Sequence, residues 1–589
     1  MSSSDETSVA VIGLGSRGLG VLERIVTLAR TPVVVELIDP SCDGAGLHTT
    51  DQPDYLLLNT VCSEVSMFAG DAGPSLYEWL AERGLRIGAD GHTVGWHGRP
   101  VGPADFVPRR LLGAYLGWFL DRIRRGLPGH VVVRTHRSAA VDLRPRRDGL
   151  AVELANGEVL RADYAFLTTG HTPNAGAGET GRAITRPYPL PARLAKITAG
   201  QRVAISGFGL TAMDVIASLT VGRGGRFVER HGQVRYRRGG GEPALLLYSR
   251  GGVPYRARPV PNPDGTRHHP LVFTRAAIDR LRAERGGPLD FVADVLPLVL
   301  LEMRVAYHQA RAGAPLFPTS DRTLVAARLD ELDQRHGAFD PLPVWDAAAG
   351  MTLDSADTYQ RWLADTVRSD LAEAVRGLGG SPVKAAVEIL RDLRDVLRHA
   401  VDFGGITGSS LDEFTSRVVP LLNRAVIGPQ KERHVELLAL LDAGVASVPF
   451  GPAPTADRDG DGWTIRSTRL TTPHVEHVDW LCHAHAESPS VSASASPLIA
   501  NLHRHGVLRR HRPDSRHVHG VDIDTDLHPV TAAGSPEPRV WVLGPLCEGA
   551  TYYNHLVPSP RGYCRPSFDA HRCVAEMVEA ARAPLRLGR

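Results

Sequence analysis

A chain of 589 residues is too long for one hydrophobic core, so two or three domains are expected. With 43% hydrophobic and 22% charged residues and a formal charge of +2, it is neither a disordered chain nor a dedicated nucleic-acid or membrane binder. Its six cysteines contain no C-x-x-C, which argues against a disulfide framework and against a dithiol reductase.

The N-terminus, MSSSDETSVAVIGLG, has neither the basic start nor the apolar run of a signal peptide. The longest apolar stretch, around Val295–Leu301, is far too short to span a bilayer, so a cytoplasmic protein is expected. Only Lys196, Lys384 and Lys431 are lysines, against 64 arginines. That bias reads mainly as a GC-rich genome, but it also supplies many rigid anion clamps.

In chain order, residues 8–39 read as strand, glycine turn, helix and strand. The turn is Gly13-Leu14-Gly15-Ser16-Arg17-Gly18, where a pyrophosphate needs close backbone approach and a helix N-terminus. Asp39, 26 residues after Gly13, ends the next strand, where a carboxylate accepts hydrogen bonds from an adenosine ribose. Residues 44–68 carry a second glycine cluster, Asn59 and a serine-rich turn. Residues 130–170 alternate as strands do and close on Thr168-Thr169-Gly170.

A second unit follows at 201–219, with Gly207-Phe208-Gly209-Leu210-Thr211-Ala212 between strand and helix. Its next strand, ALLLYSR, ends at Ser249-Arg250 rather than at an acid. Arginine there suits a 2′-phosphate, favouring NADPH over NADH, with Arg256 and Arg258 nearby. The Gly/Arg-rich stretch 222–242 is expected to be a flexible excursion. Residues 273–443 carry long amphipathic segments and few strand signals, the pattern of a helical insertion. Strands resume at GVASVPFG, GWTIRSTRL and HVDWLCHAH. The last unit, PRVWVLGPLCEGATYYNHL, reads as strand, glycine turn and helix start. His474, His477, Cys482, His483 and His485 lie close in sequence, but strand alternation splits them between two faces, so no metal site is expected.

Two fingerprints joined by a strand ending in Thr169-Gly170 resemble the class B flavoprotein monooxygenases and their relatives, over about 1–270 and 440–589. The resemblance implies an α/β fold of two Rossmann-like dinucleotide-binding domains with a large α-helical insertion. FAD is then expected at Gly13, Gly15, Ser16, Arg17, Gly18 and Asp39, and NADPH at Gly207, Gly209, Leu210, Thr211, Ser249 and Arg250. Asn59 stands in a segment, 44–68, that resembles the loop covering the flavin in a bacterial subfamily of FAD/NAD(P)-binding proteins. Gly544 is followed by Pro545 where such flavoproteins usually have an acid, so amides from Gly549 to Asn554, at a helix start, are expected to replace it. The implied boundaries are 1–182 and 491–589 for the FAD domain, 183–272 and 444–490 for the NADPH domain, and 273–443 for the insertion.

The insertion and the tail EGATYYNHLVPSPRGYCRPSFD resemble bacterial amino-acid N-hydroxylases of natural-product pathways, above all the aspartate N-hydroxylases that form nitrosuccinate. An FAD- and NADPH-dependent monooxygenase acting on a small amino acid with O2 is implied, L-aspartate being the leading substrate. A dicarboxylate needs cationic clamps, for which Arg304, Arg424, Arg561 and Arg565 are candidates. Spacing identifies no catalytic acid–base pair and leaves oligomeric state open, a homo-oligomer included. Two alternatives stand beside this reading: an FAD-dependent NAD(P)H dehydrogenase or reductase, and a non-enzymatic nucleotide sensor on the same fold.

Overall fold

Short apolar runs rich in β-branched, leucine and aromatic residues build two parallel five-stranded sheets in the computed structural model. The strands are β1 (Thr7–Ile12), β2 (Val33–Ile38), β3 (Val131–His136), β4 (Tyr164–Leu167), β5 (Ala183–Ile184), β6 (Arg202–Ser206), β7 (Ala244–Tyr248), β8 (Ala446–Ser447), β9 (Trp480–His483) and β10 (Val540–Val542). Helices that matter for the sites are α1 (Ser16–Leu28), α2 (Leu210–Leu219), α3 (Leu296–Ala312), α4 (Arg322–His336), α5 (Ala356–Gly380), α6 (Pro382–Asp392), α7 (Val419–Val426), α8 (Lys431–Asp442) and α9 (Arg565–Arg582). The structure describes residues 6–70, 72–176, 181–262, 265–349, 351, 353–512, 514–560 and 564–582. Among them, no helix is long and apolar enough to cross a membrane.

The chain divides into two compact units: residues 1–176, 401–404 and 487–589, and residues 177–400 and 405–486. In the first, the sheet order is β10-β4-β1-β2-β3, with every neighbouring pair parallel. All six residues of β2 are buried, as in a sheet covered on both faces. Trp541 of β10 stacks on Phe166 of β4 at 4.9 Å and 15°, and its indole N–H donates to Glu576 of α9. A separate antiparallel meander spans Ala140–Arg146, Gly149–Leu154 and Val159–Ala162.

The second unit repeats the parallel plan in the order β5-β9-β6-β7-β8. The helices of the insertion lie between β7 and β8, and they fall in the same compact unit as the second glycine turn. Two sequence expectations are corrected here. The 222–242 stretch is an antiparallel hairpin, Arg226–Arg230 against Gln233–Arg237, closed where Glu242 accepts the Gly239 and Gly240 amides and the Tyr236 hydroxyl. Among the described residues, no α-helix starts between Gly544 and Leu556. Only a 3-10 turn, Pro545–Cys547, forms there, because Glu548 takes the Tyr553 and Asn554 amides and Pro558 and Pro560 follow.

Helix–sheet contact in the first unit depends on the absence of a side chain. A Cβ on Gly18 would lie 2.1 Å from the Gly13 carbonyl oxygen, whereas one on Gly20 would meet only Ala570 at 3.8 Å. Gly18→Ala should therefore destabilise the first unit by about 1–3 kcal/mol, the usual range for overpacking. Gly20→Ala, in the same helix, should be neutral or stabilising by up to about 1 kcal/mol. Denaturant unfolding of the two variants checks the contrast; equal effects would show that the Gly13–Gly18 contact is not the constraint.

Candidate functional sites

In the first unit the glycine turn lies at the carboxyl ends of parallel strands, where open α/β sheets bind their ligands. Gly13 has φ +97°, and a Cβ there would meet the Thr168 carbonyl oxygen at 2.6 Å. The Thr168 hydroxyl donates to the Ile12 and Gly13 carbonyl oxygens at 3.0 and 2.6 Å, fastening β4 to the turn. Gly15 is the N-cap of α1 and supplies no capping side chain. A Cβ on it would meet nothing nearer than Gly46 Cα at 3.7 Å, so the helix start is open as well as uncapped. Ser16 begins α1 and Gly18 closes it onto the turn.

Asp39 follows β2. One carboxylate oxygen accepts the Leu14 amide at 2.9 Å, and the other accepts the Ser41 and Cys42 amides and the Ser41 hydroxyl. It thus orders the glycine turn from the neighbouring strand. Thr169 and Gly170, the latter with φ +67°, lead out of β4, and Asn59 is half-buried in the 44–68 loop. The next residue after Gly170 is His171, whose ring stacks on His555 at 4.8 Å.

Arg17 does something the sequence did not suggest. Its buried guanidinium donates to the Asn554 carbonyl at 2.9 Å and holds the C-terminal loop against the start of α1. Gly544, φ +102°, lies under the same side chain. The Asn554 side-chain amide is used inside the loop, donating to Glu548 and Thr551. A second anchor comes from Val401–Gly404, the short segment of the insertion that belongs to this unit. Asp402 accepts the Tyr552 amide at 2.7 Å and the Arg565 guanidinium at 2.6 Å, while the Phe403 amide donates to the Ala550 carbonyl.

The second unit reproduces the uncapped helix start. Gly207 has φ +139°, and a Cβ there would lie 2.3 Å from the Ala484 carbonyl oxygen. Gly209 is the uncapped N-cap of α2, followed by Leu210 and Thr211 in its first turn, and the Tyr255 ring lies over Gly209. Ser249 and Arg250 follow β7; the Ser249 hydroxyl accepts the Gly252 amide, and Arg250 is exposed.

Beside this turn, in the same unit, lies a pocket lined by Tyr255, Arg256, Trp345, Asp370, Arg424 and His434 among others. Burial would raise the Asp370 carboxyl, but the Lys384 ammonium and the Arg256 guanidinium outweigh it and bring the pKa to about 2. Lys384 donates to Asp370 at 2.9 Å and Arg256 at 2.6 Å. Burial keeps His434 neutral, its pKa lowered to about 4. These residues come together from β7's following loop, α5, α6 and α8, a convergence that their spacing did not reveal. Lys384 carried one signal, being one of three lysines in an arginine-rich chain.

The four arginines proposed as substrate clamps separate sharply. Arg304 of α3 bridges Asp330 and Asp333 of α4 at 2.9 and 2.7 Å. Arg565 faces Asp402 and Asp569 at 2.6 and 3.2 Å. Each guanidinium already meets two carboxylates, a setting that disfavours a further one. Arg561 lies outside the described residues. Arg424 remains, buried and only loosely paired, with Asp346 at 3.4 Å.

Residues 10–172 match the protein family described as FAD-NAD(P)-binding. Over nearly its whole length the chain is also similar to curated proteins. It is 34% identical to an L-aspartate N-monooxygenase (nitrosuccinate-forming) of Streptomyces davaonensis, covering 91% of this chain and 92% of that protein. It is 31% identical to a nitrosuccinic acid synthase of Aspergillus oryzae, with coverages of 93% and 89%. A further nitrosuccinate-forming L-aspartate N-monooxygenase, from Streptomyces cremeus, is 32% identical, with coverages of 91% and 89%.

The Asp402–Arg565 pair is almost wholly buried, and removing one partner strands the other's charge. Arg565→Met should destabilise the first unit by about 3–5 kcal/mol, the usual cost of breaking a buried pair. The effect should be local, with hydrogen exchange at the Tyr552 and Phe403 amides rising first. Unchanged protection at those amides would show that the pair does not anchor the C-terminal loop.

Proposed function

This chain belongs to the family of nitrosuccinate-forming L-aspartate N-monooxygenases, and from that premise we propose that it oxidises the α-amine of L-aspartate stepwise to the nitro group, using O2, FAD and NADPH. The observation that carries the reading is relatedness over more than nine-tenths of the chain, joined to two uncapped helix starts, each following a strand of a parallel sheet.

The residues present fit the two dinucleotides. At Gly15 the first-turn amides of α1 have no capping side chain, and the glycine leaves room for a close backbone approach, as a pyrophosphate requires. We assign FAD there, with Gly13, Gly18 and Asp39 shaping the turn and Arg17 holding the C-terminal loop. We assign NADPH to Gly207, Gly209, Leu210 and Thr211, with Ser249 and Arg250 placed after β7 to read the 2′-phosphate. Once bound, the reduced flavin supplies the oxygen-activating chemistry and NADPH the electrons.

The protein's own part is to bind, to orient and to exclude water. An amine attacks oxygen through its lone pair, so it must lose its proton before reacting. A dicarboxylate is best held by donors that are not already matched, which favours Arg424 over Arg304 and Arg565.

Two measurements test this reading. Gly15→Asp places a side chain and a negative charge in front of α1, and the purified variant should carry little FAD. Full flavin content would move the FAD site elsewhere. In the unaltered enzyme, L-aspartate should accelerate NADPH oxidation and yield hydroxylamine and nitro products whose new oxygen comes from O2, read by mass spectrometry. If ornithine or lysine alone gave hydroxylated product, the substrate would be wrong. If no amino acid stimulated oxidation while an artificial electron acceptor did, a reductase would take its place.

A further inference from the structure

Polar atoms buried without partners are rare in proteins, and each asks for an explanation. Three such atoms fall in one pocket of the second unit: Arg424 Nε, Trp345 Nε1 and His434 Nδ1 have no hydrogen-bond partner among the described residues. The three side chains belong to residues 9%, 4% and 1% exposed. Arg424 is the most demanding, because a guanidinium has five donors. Its other contacts are long, 3.5 Å to the Gly251 carbonyl and 3.4 Å to Asp346.

The backbone that carries the guanidinium is held in place, and the guanidinium packs against Gly251. The Arg424 carbonyl accepts the Arg256 amide at 2.8 Å, and a Cβ on Gly251 would lie 2.7 Å from Arg424 Nη1. A buried cation carried on a fixed backbone and left with free donors is built for an anion that arrives from outside.

Charge count narrows the anion. Arg256, Arg424 and Asp370 line the pocket, Lys384 pairs with Asp370 and Asp346 with Arg424, so the group holds three positive charges against two negative ones. His434 is neutral, and Glu388, near Lys384, is matched by Arg391. One positive charge is left over. A single carboxylate balances it, whereas a phosphate dianion overshoots. The indole N–H of Trp345 offers a neutral donor to the same anion. With Nε2 engaged by the Tyr255 backbone, neutral His434 presents a lone pair at Nδ1, suited to an ammonium rather than to a carboxylate.

We propose that Arg424 and Trp345 form the subsite that binds a carboxylate of the amino-acid substrate, with His434 receiving its ammonium group. The proposal rests on the aspartate reading above and adds the residues that recognise the substrate. It also separates two arginines of the same unit: Arg250 for the nucleotide, Arg424 for the amino acid.

The test is calorimetric titration of the FAD-loaded enzyme with L-aspartate and, separately, with NADP+. Arg424→Met should weaken aspartate binding about ten- to a hundredfold, the effect of losing a charge-assisted contact. Trp345→Phe, which keeps the aromatic wall but removes the donor, should weaken it about two- to tenfold. Gly251→Ala, which displaces the guanidinium without removing it, should fall between wild type and Arg424→Met. Affinity for NADP+ should stay within about twofold in all three, whereas Arg250→Ala should lower it about tenfold or more. If Arg424→Met proves unstable, the Trp345 and Gly251 variants carry the test. Loss of NADP+ binding with unchanged aspartate binding would make the pocket a phosphate site and overturn the proposal. Unchanged affinity for both ligands would overturn it too. Absence of aspartate binding in the unaltered enzyme would instead remove the proposed reaction, and this occupant with it.

Discussion

At the carboxyl ends of β4 and β1 the Thr168 hydroxyl donates to the Gly13 carbonyl while the Thr168 carbonyl lies against the bare Cα of Gly13, and much of the first unit depends on this contact. No side chain fits there, because Gly13, Thr168 and Gly18 converge within a few ångströms of backbone. Closing the turn in this way lets α1 begin at Gly15 without a cap, so its first amides stay available. Asp39 braces the turn from β2, and Arg17 extends the arrangement to the C-terminal loop. The second unit solves the same problem with Gly207 pressed against Ala484.

This explains what the sequence made legible. Glycine turns flanked by apolar strand-length runs are local patterns, and periodicity over a few residues suffices to find them. The insertion was equally readable from its helical spacing. The C-terminal loop was not. A glycine after a strand suggested a helix start, but Glu548 and the prolines impose an irregular loop, and its anchor at Asp402 is 150 residues away from Tyr552 in sequence. Nor did spacing show that Asp370, Lys384, Arg424 and His434 converge, since four separate helices carry them.

Arginine abundance was the main source of ambiguity. With 64 of them, position in sequence says little about purpose. The structure distinguishes them by what each guanidinium already touches. Arg304 and Arg565 meet two carboxylates each, Arg17 meets loop carbonyls, and Arg424 meets almost nothing at hydrogen-bonding distance. Unsatisfied demand, rather than charge alone, separates a binding residue from a structural one.

The interleaving of the two units has a consequence for how the chain is made. It passes between them four times, and each sheet waits for a distant strand: β10 at residue 540 completes the first, and β9 at residue 480 fills the gap between β5 and β6 in the second. During translation neither sheet is closed until most of the polypeptide has left the ribosome, so β4 and β6 emerge as open strand edges. A prematurely terminated product therefore cannot behave as a smaller working module. Translation must run nearly to the end before either half becomes a stable body, which places the hazard of aggregation on unfinished chains and gives chaperones a long interval in which to act.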